Sequence, residues 1–412
     1  MGNKTPNRKK QVLSLYISMV LGVFVGVGGS VINTRILGPQ QYGDLKFIQT
    51  LFAFVVVFLT LGLFVTGSRL LARDEYKDIE NKLIGGIFVL ASVVSLIMST
   101  VLLIISIYYD HIFDNNLKEV IKLFIPFLFV FPFKVCLENI LQGSNRIYAL
   151  SVFKIMPQLC YMIVAFSINY YYVKLSLPLA LAIQFSVLAT VIFLMIIYLK
   201  PDFKRYKKNI GLIWTENKTY GLHVYFGSIV GVASAHLGGL VVAYFIDTIH
   251  VGYYALAFTI TAPLTMIPST VGTTFFKKFA NTDKIPGKVI LATLGLSSIV
   301  IGVFYFIIDD LIILLYSDEF IRVIPLAYIM APGCIMHGFG DLFNRFLGAH
   351  GRGKDLRNTA FCVGTTNIIG FIVLIDNFGI TGAASTKLIS GTVYCFVLYI
   401  YYYKYRIKMR TL

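Results

Sequence analysis

Between residues 12 and 403 the chain alternates between two textures. Apolar runs of about twenty residues, rich in Leu, Ile, Val and Phe, are separated by short stretches holding Lys, Arg, Asp, Gly or Asn. Wound as a helix at about 1.5 Å per residue, such a run covers the roughly 30 Å of hydrocarbon in a bilayer. The pattern predicts spans over 12–33, 47–67, 83–109, 119–142, 151–171, 177–199, 220–246, 254–276, 288–309, 321–347, 358–376 and 381–403. The first run follows Lys9-Lys10 as a signal peptide would. It is too long for one and has no small-residue cleavage site, so it counts as a span.

Composition agrees with the pattern: 57% of the 412 residues are hydrophobic and 14% charged, with mean hydropathy +0.77, far from a soluble globular average. A net charge of +16 would suggest nucleic acid in a soluble protein. Here the cations punctuate spans and report topology, so no nucleic-acid partner is expected. Of the 36 Lys and Arg, 27 fall in the tails and alternate loops on one side and five on the other. Under the positive-inside rule both termini lie in the cytoplasm. The five cysteines sit inside apolar runs without ligand spacing, which reads as packing and excludes a disulfide or metal framework. No GxxxxGK[ST] loop and no long external loop is present, which argues against an ATPase and against an enzyme working on the outer face.

The two halves resemble one another. Gly22-Val-Phe-Val-Gly26 is echoed by Gly227-Ser-Ile-Val-Gly231, Tyr42-Gly43 by Gly252-Tyr253, Leu141 to Arg146 by Leu347 to Arg352, and Pro126 by Pro332, at offsets of about 205–209. The expected architecture is therefore an all-α integral membrane protein with twelve transmembrane helices in two pseudo-symmetric six-helix bundles around a central cavity. Residues 1–199 form the first lobe, 200–219 a cytoplasmic linker carrying six cations, and 220–412 the second lobe. The GxxxG pairs are expected to let helix backbones approach closely.

Charges at membrane depth cost about 2.5–3.5 kcal/mol on insertion scales, so they face a cavity or one another. The fourth span carries Lys134, Glu138 and Asn139, and the tenth His337, Asp341, Asn344 and Arg345. Lys134/Glu138 and Asp341/Arg345 are i, i+4 pairs able to neutralise themselves on one helix. These residues, with His236 in the seventh span and Arg35 at the end of the first, are the candidate lining of the cavity; the rival reading is a structural staple between helices. Arg146 and Arg352 occupy equivalent inner loops and are candidates for the cytoplasmic entrance. Lys122 and Lys387 are read as snorkelling from span ends, and Asp309, Asp310, Asp318 and Glu319 as hydrating the outer surface.

Arg35-Ile-Leu-Gly-Pro-Gln-Gln-Tyr-Gly43, Tyr316-Ser-Asp-Glu-Phe320 and Gly379-Ile-Thr-Gly-Ala-Ala384, in that order, resemble landmarks of bacterial polysaccharide flippases. These are the O-antigen and capsule repeat-unit (Wzx-type) translocases of the multidrug/oligosaccharidyl-lipid/polysaccharide exporter superfamily. The resemblance implies a non-enzymatic carrier in the bacterial cytoplasmic membrane. It would move undecaprenyl-diphosphate-linked oligosaccharide from the inner to the outer leaflet by alternating access. It implies lipid-linked oligosaccharide and membrane lipids as partners, with a polysaccharide polymerase and chain-length machinery downstream. No metal or cofactor is implied beyond coupling to H+ or Na+ through Glu138 or Asp341. The rival readings are a drug/cation antiporter of the same superfamily, whose cavity should be acidic, and an integral-membrane polysaccharide polymerase.

Overall fold

In the computed structural model, which describes residues 8–113, 115–171 and 174–411, every long element is a helix, as the apolar runs require. In chain order these are α1 (Arg8–Leu59), α2 (Leu63–Leu71), α3 (Glu80–Ile107), α4 (Tyr109–Ile112), α5 (Lys118–Phe124), α6 (Val130–Gly143) and α7 (Ile147–Tyr171). Then come α8 (Leu177–Leu199), α9 (Tyr206–Glu216), α10 (Leu222–Phe245), α11 (Thr248–Phe279), α12 (Gly287–Tyr316), α13 (Val323–Ala349) and α14 (Gly353–Thr411). Among the described residues nine helices are long and apolar enough to cross a membrane. Two of these bend at a glycine with non-helical backbone, Gly38 in α1 and Gly379 in α14, each lying between two spans read from the sequence. The fourth span is broken: α5 and α6 are bent by 45°, and Pro126 and Pro132 flank the break. Proline removes a backbone donor and crowds the preceding turn, so the helix yields there. Pro332, the counterpart of Pro126, lies inside the continuous α13.

The chain divides into two compact units, one of residues 1–37 and 48–226, the other of residues 38–47 and 227–412. In the first, the segment expected as a linker is folded. Asn209, Ile213 and Asn217, spaced one helical turn apart, are buried from α9 and the π-helical turn after it. Asn209 Nδ2 donates to Lys82 O (3.0 Å), and Asn217 joins Thr66 Oγ1 (2.8 Å) and Leu61 O (3.1 Å). Glu216 accepts from both Arg69 and Arg73 at 3.0 Å, and the Arg69 guanidinium lies 4.0 Å over the Tyr220 ring.

In the second unit the short segment 38–47 explains much of the early motif. Gly38 adopts φ 67°, a left-handed value that glycine tolerates without a Cβ penalty. Tyr42 is fully buried, edge-on to Phe320 with centroids 6.0 Å apart. Asp44 is buried and accepts from Thr248 Oγ1 (2.5 Å) and Gln40 Nε2 (3.2 Å). Gly43 lies on the backbone of Thr248 and against Gly252, its own counterpart in the internal repeat. A side chain on either would strike backbone.

A second pair of repeat-related sites shares its geometry. After α6 the Arg146 amide donates to Leu141 O (2.9 Å) and that of Asn145 to Gln142 O (3.1 Å), with Asn145 at φ 54°. After α13 the Arg352 amide donates to Leu347 O (3.0 Å) and that of Gly351 to Gly348 O (3.1 Å), with Gly351 at φ 69°. Both are Schellman caps, 6→1 and 5→2 bonds closing a helix on a left-handed residue. The GxxxG expectation is not met at three of its four glycines, while the surroundings of Gly227 lie outside what is described. A Cβ at Gly22, Gly26 or Gly231 would meet nothing within 4 Å among the described residues, and close approach falls instead to Gly43, Gly338 and their neighbours.

Candidate functional site

Among the described residues, a polar cluster inside the apolar spans of the second unit forms around Tyr394 of α14, with Lys387 on the same helix. Helix α13 packs along both α11 and α14. That packing brings His337, Asp341 and Asn344, one helical face of α13, against Tyr394. The Tyr394 hydroxyl donates to Asp341 Oδ1 (3.0 Å) and accepts from Asn344 Nδ2 (3.0 Å). Its ring stacks on His337 with centroids 4.4 Å apart and planes 21° from parallel, and on its other flank it meets Gly340. Asp341 thus finds a tyrosine on the neighbouring helix, and the expected pairing with Arg345 does not form. Arg345 is exposed.

About two turns toward the Gly379 bend, Lys387 does not snorkel as the sequence suggested. It is half-buried, with Nζ 5.1 Å from the Phe258 ring centroid and 5.7 Å from that of Phe371. No ion-pair partner reaches it among the described residues. Two ring faces attract a cation by roughly 0.5–2 kcal/mol each when desolvated. That offsets, without cancelling, the cost of holding the ammonium at depth. Cys334 Sγ in turn approaches Thr261 Oγ1 at 3.6 Å. The cluster is cationic and aromatic; His337, Asp341 and Asn344 meet at Tyr394, while His236 of α10 is half-buried.

In the first unit the predicted residues are sparser. Lys134 is exposed and Glu138 half-buried on α6; their i, i+4 pair is not made, and neither has an ion-pair partner among the described residues. Asn139 Nδ2 bonds its own helix at Val135 O (2.9 Å). Arg35 is exposed just before the Gly38 bend. The two entrance candidates are engaged: Arg146 with Glu80 (2.9 Å) and over the Tyr198 ring (5.4 Å), Arg352 with Asp355 (2.6 Å). Lys122 pairs with Glu119 (2.8 Å), as a surface residue would. Asp309, Asp310, Asp318 and Glu319 are exposed, Asp309 accepting from Tyr328 (2.9 Å). Three cysteines are buried, Cys160 is half-buried and Cys362 is exposed. No group of three or more metal-ligating side chains occurs among the described residues.

Sequence reasoning misplaced Lys387 and overlooked Tyr394 and Asp44. Lys387 was read as snorkelling from a span end, and Tyr394 was not singled out. Asp44 was not singled out either, although a carboxylate in the short stretch between two apolar runs has to find water or a hydrogen-bond donor.

Fold and composition together define a multi-pass helical membrane protein with the fold of known transporters. It is similar to "Lipid II flippase MurJ, inward closed conformation", at 15% identity and TM-score 0.72 over 94% of this chain and 87% of that one. It is similar also to the inward-facing conformation of a multidrug resistance MATE family transporter of the MOP superfamily, at 12% identity and TM-score 0.73 over 97% and 99%. A third neighbour is a MOP superfamily transporter from Pyrococcus furiosus, described as having a binding pocket of reversed polarity, at 13% identity and TM-score 0.61 over 98% and 96%. No curated protein sequence matches the chain. The polysaccharide biosynthesis protein family model matches residues 9–276, and the chain belongs to that family.

Proposed function

We propose that the protein is a flippase for undecaprenyl-diphosphate-linked oligosaccharide repeat units, O-antigen or capsule, carried from the inner to the outer leaflet of the bacterial cytoplasmic membrane by alternating access. The observation that carries this reading is membership of a polysaccharide biosynthesis family in a chain whose fold is a membrane transporter's. The balance of charge at depth supports it. Arg35, Lys134, Arg345 and Lys387 outnumber Asp44, Glu138 and Asp341, and a diphosphate gains where a cation would lose, because low dielectric magnifies the field. The same balance disfavours the drug/cation antiporter, for which the likeness to MATE transporters supplies fold alone.

Within this reading Lys134 and Arg35 are the first unit's candidates to meet the headgroup and Arg345 and His236 the second unit's, while Asp341 and Asn344 act through Tyr394 as supports. Glu138, half-buried and without an ion pair among the described residues, is the carboxylate best suited to carry a coupling H+ or Na+. Both termini are assigned to the cytoplasm, and a polymerase with its chain-length machinery is the consumer of the product. A deletion strain tests the function. Complete lipid-linked units should accumulate on the inner leaflet and surface glycan should vanish, with both restored by the intact gene. Drug hypersensitivity with normal glycan would move the protein to the antiporters. Lys134→Gln and Arg345→Gln should each fail to restore glycan while reaching the membrane in normal amount. Full activity in both would remove these residues from the site.

A further inference from the structure

Helix α9 has three faces, each with a different chemistry. Asn209 and Ile213 point into the first unit and are buried. About 60° round the helix from them, by the 3.6-residue turn, runs a second stripe of Tyr206, Ile210 and Trp214. Here Tyr206 is 41% and Trp214 45% exposed, and Phe203, just ahead of the helix, is 51% exposed. The remaining arc carries Lys207 and Lys208, continued by Lys204 and Arg205 before the helix, all exposed. The two acids of the stretch do not answer these cations. Glu216 is taken by Arg69 and Arg73, and Asp202 accepts from the backbone amide of Lys204 at 2.8 Å. An aromatic edge beside a packed face, with lysines on the far side, is the arrangement of a helix lying in the plane of a membrane interface. Aromatic rings settle at headgroup depth, and cations gain from an anionic leaflet.

We infer that α9 and the residues leading into it are a docking surface for anionic lipid headgroups of the bilayer, with Lys204, Arg205, Lys207 and Lys208 as their ligands and Tyr206 and Trp214 as the buried edge. The occupant is argued from charge: four exposed cations lie within five residues of one another, and the neighbouring acids are already bonded. The surface belongs to the first unit alone and is independent of the proposed transport substrate. Because α9 is bonded to α2 through Glu216 and Asn217, headgroups held there fix the position of α2 as well.

Trp214 is the only tryptophan in the chain, so its fluorescence reports this surface without labelling. The full-length protein is reconstituted in nanodiscs containing an even mixture of phosphatidylcholine and phosphatidylglycerol, with one or the other lipid brominated. Each cation near an anionic surface is worth about fivefold in enrichment. Brominated phosphatidylglycerol should therefore quench Trp214 several-fold more than brominated phosphatidylcholine does, and added sodium chloride should shrink the difference. The variant K207Q/K208Q, which leaves every packed residue of α9 in place, should bring the two quenching efficiencies together. Equal quenching in the unaltered protein would overturn the inference by reducing the aromatic edge to a greasy contact. Absence of quenching by either lipid would overturn it by placing α9 outside the interface. Inorganic phosphate that abolishes the preference more strongly than chloride of equal ionic strength would overturn the choice of a lipid occupant in favour of a soluble phosphate site.

Discussion

Replacing Tyr394 by Phe removes a single oxygen from the junction of α13 and α14. The ring stays on His337 and against Gly340, so the packing is unchanged. Two hydrogen bonds disappear, one from the hydroxyl to Asp341 and one to it from Asn344, both at 3.0 Å. Interhelical hydrogen bonds inside membrane proteins contribute on average about 0.6 kcal/mol and at most about 1.7. A bond to a charged acceptor is worth about 1.5–3 kcal/mol, and a half-buried group left unpaired adds its desolvation cost. The expected loss is therefore about 1–3 kcal/mol, well above the value for one surface bond. The measurement is reversible unfolding of the purified protein in mixed micelles of mild detergent and dodecyl sulfate, followed by helical circular dichroism. Asp341→Leu, alone and combined with Tyr394→Phe, completes a double-mutant cycle. The coupling between the two sites should be about 0.6–1.7 kcal/mol. If Tyr394→Phe unfolds with the unaltered protein, or the two losses simply add, the network is decorative and the assignment of Asp341 as a supporting residue fails.

Other outcomes follow from the same geometry. Gly43→Ala puts a methyl on the carbonyl of Thr248 and should cost about 1–3 kcal/mol in the same unfolding assay. Gly26→Ala, where nothing lies within 4 Å, should be neutral. Lys387→Met removes an ammonium whose burial the two rings only partly offset, so stability should rise by about 1 kcal/mol while surface glycan is lost. A fall in stability would mean that the ammonium has a stronger partner than the rings. Glu216→Gln releases Arg69 and Arg73, both partly exposed, so the loss of global stability should stay below about 1 kcal/mol. Its visible effect should be faster amide hydrogen exchange confined to residues 206–221.

Membrane insertion and helical class were legible from run length alone, because a bilayer sets one length scale for every span. The break in the fourth span was legible as two prolines six residues apart, although nothing in one sequence tells a broken helix at Pro126 from an unbroken one at Pro332. The internal repeat was legible as spacing, and the matching caps at Asn145 and Gly351 give part of it a physical basis. The docking of α9 was hidden behind its lysines, although Asn209, Ile213 and Asn217 already carried the helical period of a buried stripe. The site was least visible. Asp341 and Asn344 announced themselves as polar residues in an apolar run, but their partner stands some fifty residues away among tyrosines that look alike. Pairing across that distance is a property of the packed fold, and local pattern does not contain it.

Residues 38–47 lodge with a unit whose remaining members begin at residue 227. A ribosome releases that decapeptide early, so Asp44 must wait for Thr248, and Tyr42 for Phe320, to emerge before either is satisfied. Until then the nascent chain holds a carboxylate without its hydroxyl donor, a standing need for the insertion machinery or a chaperone to shelter it. Fragments cut near residue 226 inherit the same debt, and the downstream piece made alone would lack one wall of its own interior.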